Sequence, residues 1–237
     1  MKRILSLMGM VLMACQSINA QNTEPSINPT ATYLTADGEE ENNDYSGSAP
    51  LQATFKANPS NHEGWTGYYE WRFTLDGQDT PYLVRYEQDT QLTFTQSGSH
   101  TVVLYATFTK GDDKVEYAEE YWRQVPPLRV SISESKLEMP NAFSPNGDGI
   151  NDIYKAKDGF QSLTEFKATV FNRWGQKIFE WDNPADGWDG KYKGTDVKSG
   201  VYYVVVKAKG ADGKVYNIRR DVNLLREYIN EGTQSNP

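Results

Sequence analysis

Apolar and polar residues alternate with a period of two along most of the chain. Leu51, Ala53, Phe55 and Ala57 alternate with Gln52, Thr54 and Lys56, which marks a strand with one buried face. Tyr69, Trp71, Phe73 and Leu75 alternate in the same way with Glu70, Arg72 and Thr74. Tyr82, Val84 and Tyr86 predict a further strand, as do Leu92 and Phe94 ahead of the Ser97-Gly98 turn. His100, Val102, Leu104, Ala106 and Phe108 predict a long one. Gly111-Asp112-Asp113 then reads as a hairpin turn, with Val115, Tyr117, Glu119 and Tyr121 returning from it.

Val125-Pro126-Pro127 interrupts the pattern, because proline cannot donate to a ladder, and Leu128, Val130 and Ile132 resume it. Phe166, Ala168 and Val170 begin another strand, which the pattern carries through Phe171-Asn172-Arg173-Trp174 to a turn at Gly175. Ile178, Phe179 and Trp181 form its return. Val201–Val206 is apolar at every position, which predicts a strand buried on both faces. Asp212-Gly213 is a hairpin signal, and Tyr216, Ile218, Val222 and Leu224 alternate after it. Arg220 interrupts that last alternation, at a bulge or a sheet edge. No segment carries a 3.6-residue period, so the expected class is all-β, built as sandwiches.

Between these strands lie segments of other character. Residues 21–33 are polar with Pro25 and Pro29 and read as a tether, and Asp37–Ser48, with Glu39-Glu40-Glu41, reads as a long solvated loop. Pro140–Asp152, PNAFSPNGDGIND, is dense in Gly, Asn, Asp and Pro and must be a shaped loop. The last eleven residues from Glu227 are mostly polar and read as a frayed tail.

The N-terminus reads as an export signal: Lys2-Arg3 followed by an apolar run to Ala14, too short for a stable membrane span. Two processing sites compete. Ile18-Asn19-Ala20 before Gln21 suits a general signal peptidase, while Leu12-Met13-Ala14-Cys15 is lipobox-like and would put a lipid on Cys15. Met13 fits the second poorly, which favours cleavage between Ala20 and Gln21. Cys15 is the sole cysteine, so a mature chain of either kind has no disulfide and rests on packing. The net charge of −8, without a basic cluster, argues against nucleic acid and against anionic membrane surfaces.

Candidate chemistry is sparse. Asn146, Asp148, Asn151 and Asp152 place oxygen ligands around two glycines, in partial likeness to a Ca²⁺ loop. However, Ser144 stands where an EF-hand has its first Asp, and no Glu closes the loop. The competing and preferred reading is a set of Asx-turns, with no cofactor. Trp174, Trp181 and Trp188 could form a sugar platform but are better read as core. Trp65, Tyr68 and Tyr69, beside Gly64 and Gly67, are the better candidates for exposed aromatics. The two histidines, His62 and His100, have no partner at metal-ligand spacing, and neither a nucleophile elbow nor a phosphate loop occurs. No catalytic residue is assigned, and the chain is expected to be non-enzymatic.

Two resemblances add to this reading. Ala49-Pro50-Leu51 leading to Phe55, Tyr69-Glu70-Trp71-Arg72-Phe73 and Ser97-Gly98-Ser99-His100-Thr101-Val102 resemble a PKD domain, an immunoglobulin-like module of cell-surface proteins. The second half resembles the gliding motility-associated C-terminal domain of Bacteroidetes, the type B sorting domain. It does so through PNAFSPNGDGIND at 140–152, FNRWGQKIFE at 171–180, WDG at 188–190 and SGVYYVVV at 199–206. The residues carrying this likeness are Pro140, Asn141, Phe143, Pro145, Asn146, Gly147, Asp148, Gly149, Asn151 and Asp152 in the loop. Beyond it they are Asn172, Trp174, Gly175, Trp188, Asp189, Gly190, Gly200 and Tyr202.

The resemblances imply two consecutive immunoglobulin-like β-sandwiches after a signal peptide. The expected division is a signal peptide at 1–20, a tether at 21–33, a PKD-like sandwich at 34–128, a sorting-like sandwich at 129–228 and a tail at 229–237. They further imply a non-enzymatic protein exported to the cell surface, the outer membrane or the medium. Its partners would be the type IX secretion machinery, envelope components, or surface glycans and proteins. The alternative is an outer-membrane lipoprotein anchored at Cys15 and acting as a glycan-binding or accessory subunit.

Overall fold

The computed structural model describes residues 24–226, so the signal peptide, Cys15, the Ala20–Gln21 site and the 229–237 tail lie outside the described residues. The described chain is all-β apart from one short helix, and its buried side chains form two clusters.

The first unit begins with Thr30–Thr35 (β1), Gly38–Glu41 (β2), Asp44–Gly47 (β3), Leu51–Lys56 (β4), Thr66–Leu75 (β5) and Leu83–Arg85 (β6). It continues with Asp89–Phe94 (β7), Gly98–Lys110 (β8), Asp113–Tyr117 (β9), the helix Glu119–Gln124 (α1) and Leu128–Ile132 (β10). One sheet runs β2-β1-β4-β7 and the other β3-β10-β8-β5-β6, with β9 pairing the far half of β8. The inward residues of both sheets meet as the alternation requires: Ala31, Tyr33, Phe55, Trp71, Phe73, Leu104, Phe108 and Val130 are all fully buried.

Three expectations fail here. Within the expected tether, Ile27, Ala31 and Tyr33 belong to the core. The Thr30–Thr35 alternation is short and flanked by Pro29, which hid a genuine strand. The expected loop at 37–48 instead forms β2, an exposed hairpin arm of β1, and β3, which pairs parallel to β10. Finally, the return from Gly111 ends at Tyr117, and Glu119–Gln124 is a helix. Six residues are too few to imprint a 3.6-residue period. Arg123 pairs with Glu119 and Glu120 on its outer face, while the Trp122 indole N–H donates to the Leu104 carbonyl at 2.8 Å. The first unit thus starts before residue 34 and takes in all of β10, which runs from Leu128 past the expected boundary to Ile132.

The second unit contains Ala142–Phe143 (β11), Tyr154–Lys155 (β12), Leu163–Phe171 (β13), Lys177–Trp181 (β14) and Gly187–Trp188 (β15). Lys191–Tyr192 (β16), Thr195–Asp196 (β17), Gly200–Gly210 (β18) and Val215–Leu224 (β19) complete it. Its main sheet runs β11-β19-β18-β13-β14. The opposing layer is the small β12–β15 ribbon with Leu137 and Met139, and between them sit Phe143, Tyr154, Trp181, Trp188 and Val204.

β18 is the middle strand, but it is not buried on both faces: Tyr202, Val204 and Val206 point inward, while Val201 and Tyr203 are 46% and 45% exposed. The opposing layer covers one side of the sheet only. Arg220 causes no bulge, since β18 and β19 stay in register from Gly200↔Leu224 to Lys209↔Val215. It lies below the two residues that β11 pairs, and its guanidinium donates to the Met139 carbonyl of the opposing layer.

A hydrogen-bonded joint ties the units together. The Ser97 N–H donates to the Ala211 carbonyl, the Ala211 N–H to the Ser162 carbonyl, and the Ala49 N–H to the buried Ser162 hydroxyl. Ala211, on the β18–β19 turn, packs into the first unit's core.

Candidate functional site

The motif residues converge on one end of the second unit, around the loop after β11. The Phe143 ring packs against Trp188 and Tyr154, with centroids 5.3 and 5.7 Å apart, and this fixes where the loop leaves the core. Beyond it the chain folds on itself. The Asp152 carboxylate accepts the N–H groups of Gly147 at 2.7 Å and Gly149 at 2.8 Å. Both glycines have φ of +83°, a left-handed backbone that side-chain-bearing residues resist, and it turns their amides toward Asp152. Asp148 accepts the Ile150 N–H at 2.8 Å, and Asn146 accepts the Asp148 N–H at 3.1 Å. Asn151 adopts φ of +54°, and its carbonyl accepts the Ser144 N–H.

Of the four oxygen-bearing residues predicted for Ca²⁺, Asn146 and Asp148 form Asx-turns, Asp152 gathers the Gly147 and Gly149 amides, and Asn151 contributes its backbone carbonyl. Two amide dipoles point at Asp152 and hold its carboxyl below the usual carboxylate range.

Trp188 is fully buried, its indole N–H donating to the Lys191 carbonyl at 2.8 Å. Asp189 caps the same turn by accepting the Lys191 N–H, and the Tyr202 hydroxyl donates to the Lys198 carbonyl at 2.7 Å. Gly190, at φ of +78°, lies so close to the loop that a Cβ would stand 3.0 Å from the Pro145 ring. Arg226 closes this end, joining Pro145, Gly190 and Val197 through its guanidinium. Sequence reasoning passed over it. Its partners are backbone carbonyls distant in the chain, which no residue pattern announces.

The tryptophans divide. Trp181 and Trp188 are core, as read, but Trp174 is 76% exposed. β13 ends at Phe171, and Asn172 begins an Asx-turn by accepting the N–H groups of Trp174 and Gln176, both at 3.0 Å. That turn, closed by Gly175 at φ of +78°, swings Trp174 out of the sheet. Of the other aromatic candidates, Tyr68 is exposed, Trp65 is half-buried and Tyr69 is buried against Phe108.

His100 is buried. Its Nδ1 accepts the Tyr82 hydroxyl and its Nε2–H donates to the Gln96 carbonyl, both at 3.0 Å. Each ring nitrogen has a structural partner, which leaves no free acid or base. No cluster of three or more His, Cys, Asp or Glu residues able to hold a metal occurs among the described residues.

Residues 137–218 match the family model of the CHU_C Type IX secretion signal domain. The match covers the loop, the Asn172–Gly175 turn, the Trp188-Asp189-Gly190 turn and most of the main sheet. Among curated proteins, none matches the chain. A domain of this kind marks an exported protein that engages the type IX secretion machinery.

Proposed function

We propose that the chain is a non-enzymatic protein of a Bacteroidetes cell surface or its surroundings, in which the second unit carries the export address and the first unit does the binding. The observation that carries this reading is the family match at 137–218, on a unit whose motif carboxylates Asp152 and Asp189 are spent on internal hydrogen bonds. The first unit is read as a PKD-like adhesion module for surface glycans or proteins. Supporting this is an exposed aromatic face on β5, β6 and β8. Tyr68 and Tyr86 pack 6.0 Å apart there, and the Arg72 guanidinium lies 4.0 Å over Tyr105. The test is deletion of Pro140–Pro237. The truncated protein should accumulate behind the outer membrane, and unchanged surface display would reject the sorting role.

The second reading rests on Leu12-Met13-Ala14-Cys15: an outer-membrane lipoprotein with an accessory or glycan-binding role. Palmitate labelling that Cys15→Ala abolishes supports it, and absence of label in the native protein rejects it.

A further inference from the structure

Trp174 is more exposed than any other large apolar side chain among the described residues. Its exposure is built in. Asn172 holds both ends of the turn, its amide donates to Gln176 Oε1 at 3.1 Å, and Gln176 donates to the Tyr192 hydroxyl at 3.3 Å. The Arg173 guanidinium lies 4.2 Å over the indole ring. These polar ties fix the turn that presents Trp174, and its exposed indole leaves a large apolar area uncovered.

Beside it lies a groove of about 360 Å³, floored by Ile178, Tyr192, Val197 and Val201. Among the described residues, the charged side chains lining it are Arg173 and Lys198, with no carboxylate, although the chain carries a net charge of −8. Exposed Trp with Arg is the composition of binding hot spots, and a turn already locked loses little entropy on docking. A partner matching both features offers apolar side chains flanked by carboxylates.

We infer that the Trp174 groove is the surface through which this unit docks on a protein of the secretion machinery, by an apolar, acidic face of that partner. The inference rests on the reading of residues 137–218 as a type IX secretion signal. The other exposed aromatic face, around Tyr68 and Tyr86, lies outside those residues.

The test is surface export of the full chain in the native bacterium, comparing Trp174→Ala, Lys198→Glu, the Pro140–Pro237 deletion and Val215→Ala. Val215 is an exposed apolar residue at the far end of β18–β19 and serves as control. Trp174→Ala and Lys198→Glu should each cut export by about tenfold, with Val215→Ala at the native level. The purified Trp174→Ala protein should keep its melting temperature, which separates lost docking from lost folding. If the deletion abolishes export while Trp174→Ala leaves it intact, the docking inference fails and the signal reading stands. If the deletion leaves export intact, the signal reading fails and takes the inference with it. Loss with Trp174→Ala but not with Lys198→Glu overturns the acidic character of the partner. Intact export, together with a cellohexaose-induced shift of tryptophan fluorescence that Trp174→Ala removes, makes the groove a sugar site and overturns the inference.

Discussion

The Arg226 guanidinium donates through Nη2 to the Gly190 carbonyl at 2.6 Å, across 36 residues of chain. The same group reaches the Pro145 carbonyl through Nη1 at 3.2 Å and the Val197 carbonyl through Nε at 3.1 Å. One planar cation thus ties the loop after β11, the turn after β15 and the lead into β18 to the end of β19. Only arginine presents donors in such a fork; lysine would serve one carbonyl at a time.

Arg226→Ala is expected to destabilise the protein by about 2 kcal/mol, since hydrogen bonds from charged donors contribute about 1.5–3 kcal/mol and their sum is not additive. The side chain is 22% exposed, so water would recover part of the loss. Arg226→Lys should fall between the two. Asp196, 3.4 Å away but 60% exposed, is a rim partner, and Asp196→Ala should cost under about 0.5 kcal/mol. Urea midpoints at constant slope would rank the three.

Gly210 marks the other end of β18. A Cβ there would stand 2.1 Å from Ser135 Oγ and 2.3 Å from Asp212 Oδ1. Those atoms are themselves bound, Ser135 donating its backbone N–H and its hydroxyl to Asp212. Gly210→Ala should therefore cost about 3 kcal/mol, at the upper end for overpacking. Thermal melts should show the loss, and an unaltered melt would mean that the Ser135–Asp212 contact yields freely.

What was legible in the sequence followed from period two. Each strand with four or more alternating apolar residues was recognised, including the 51–57, 69–75 and 100–108 runs. The failures have physical causes. Thr30–Thr35 alternates through threonines, which a polarity count scores as solvent-facing although Ala31 and Tyr33 are fully buried. Val201–Val206 looked buried throughout because composition cannot reveal that only one face of the sheet is covered. At Trp174 the alternation ran on while the Asn172 side chain had already ended the strand. The motif loop was legible as Asx-turns, but the Asp152 pairing with Gly147 and Gly149 was not, since it depends on the sign of φ at two glycines.

Asp152 makes that pairing testable. Its folded pKa lies below the usual value, so its contribution is present above the ordinary carboxylate range and is lost as pH falls through the folded pKa. Asp152→Asn should speed amide exchange at Gly147 and Gly149 at neutral pH. With two amide dipoles already stabilising the Asp152 charge and the loop folded through its own Asx-turns, added Ca²⁺ should give no calorimetric heat and no change in melting. A Ca²⁺-dependent rise in melting temperature that Asp152→Asn removes would reverse this reading.

Tyr33 carries a fully buried hydroxyl with no hydrogen-bond partner among the described residues, and burial pushes its pKa upward. Its ring is well placed, stacked on Tyr45 with centroids 4.2 Å apart. Tyr33→Phe keeps the stack and removes the unsatisfied group, so it should stabilise the protein by about 1 kcal/mol. A loss of stability would reveal a partner for the hydroxyl.

His100 gives the first unit a pH dependence of known sign. Burial disfavours the charged ring and lowers its pKa below the ordinary value of 6.5, against the opposing pull of the Gln96 carbonyl and Asp76. The unfolded state, with the ordinary pKa, binds more protons than the folded state between the two values, so stability rises with pH across that window. The contribution is fully present above about 6.5, the unfolded pKa, and declines as pH falls toward the folded value. Tyr82 reinforces this: burial pushes its phenol up to about 12, so it remains a neutral donor to Nδ1 throughout. The Nε2 proton is engaged by Gln96, and protonating Nδ1 would force the Tyr82 hydroxyl to turn from donor to acceptor across the 3.0 Å contact. Urea melts at pH 7.5 and pH 5.5 should show the native protein weaker at the lower pH, with His100→Gln lower at both but nearly flat between them. Equal pH dependence in the native protein and His100→Gln would assign the effect elsewhere.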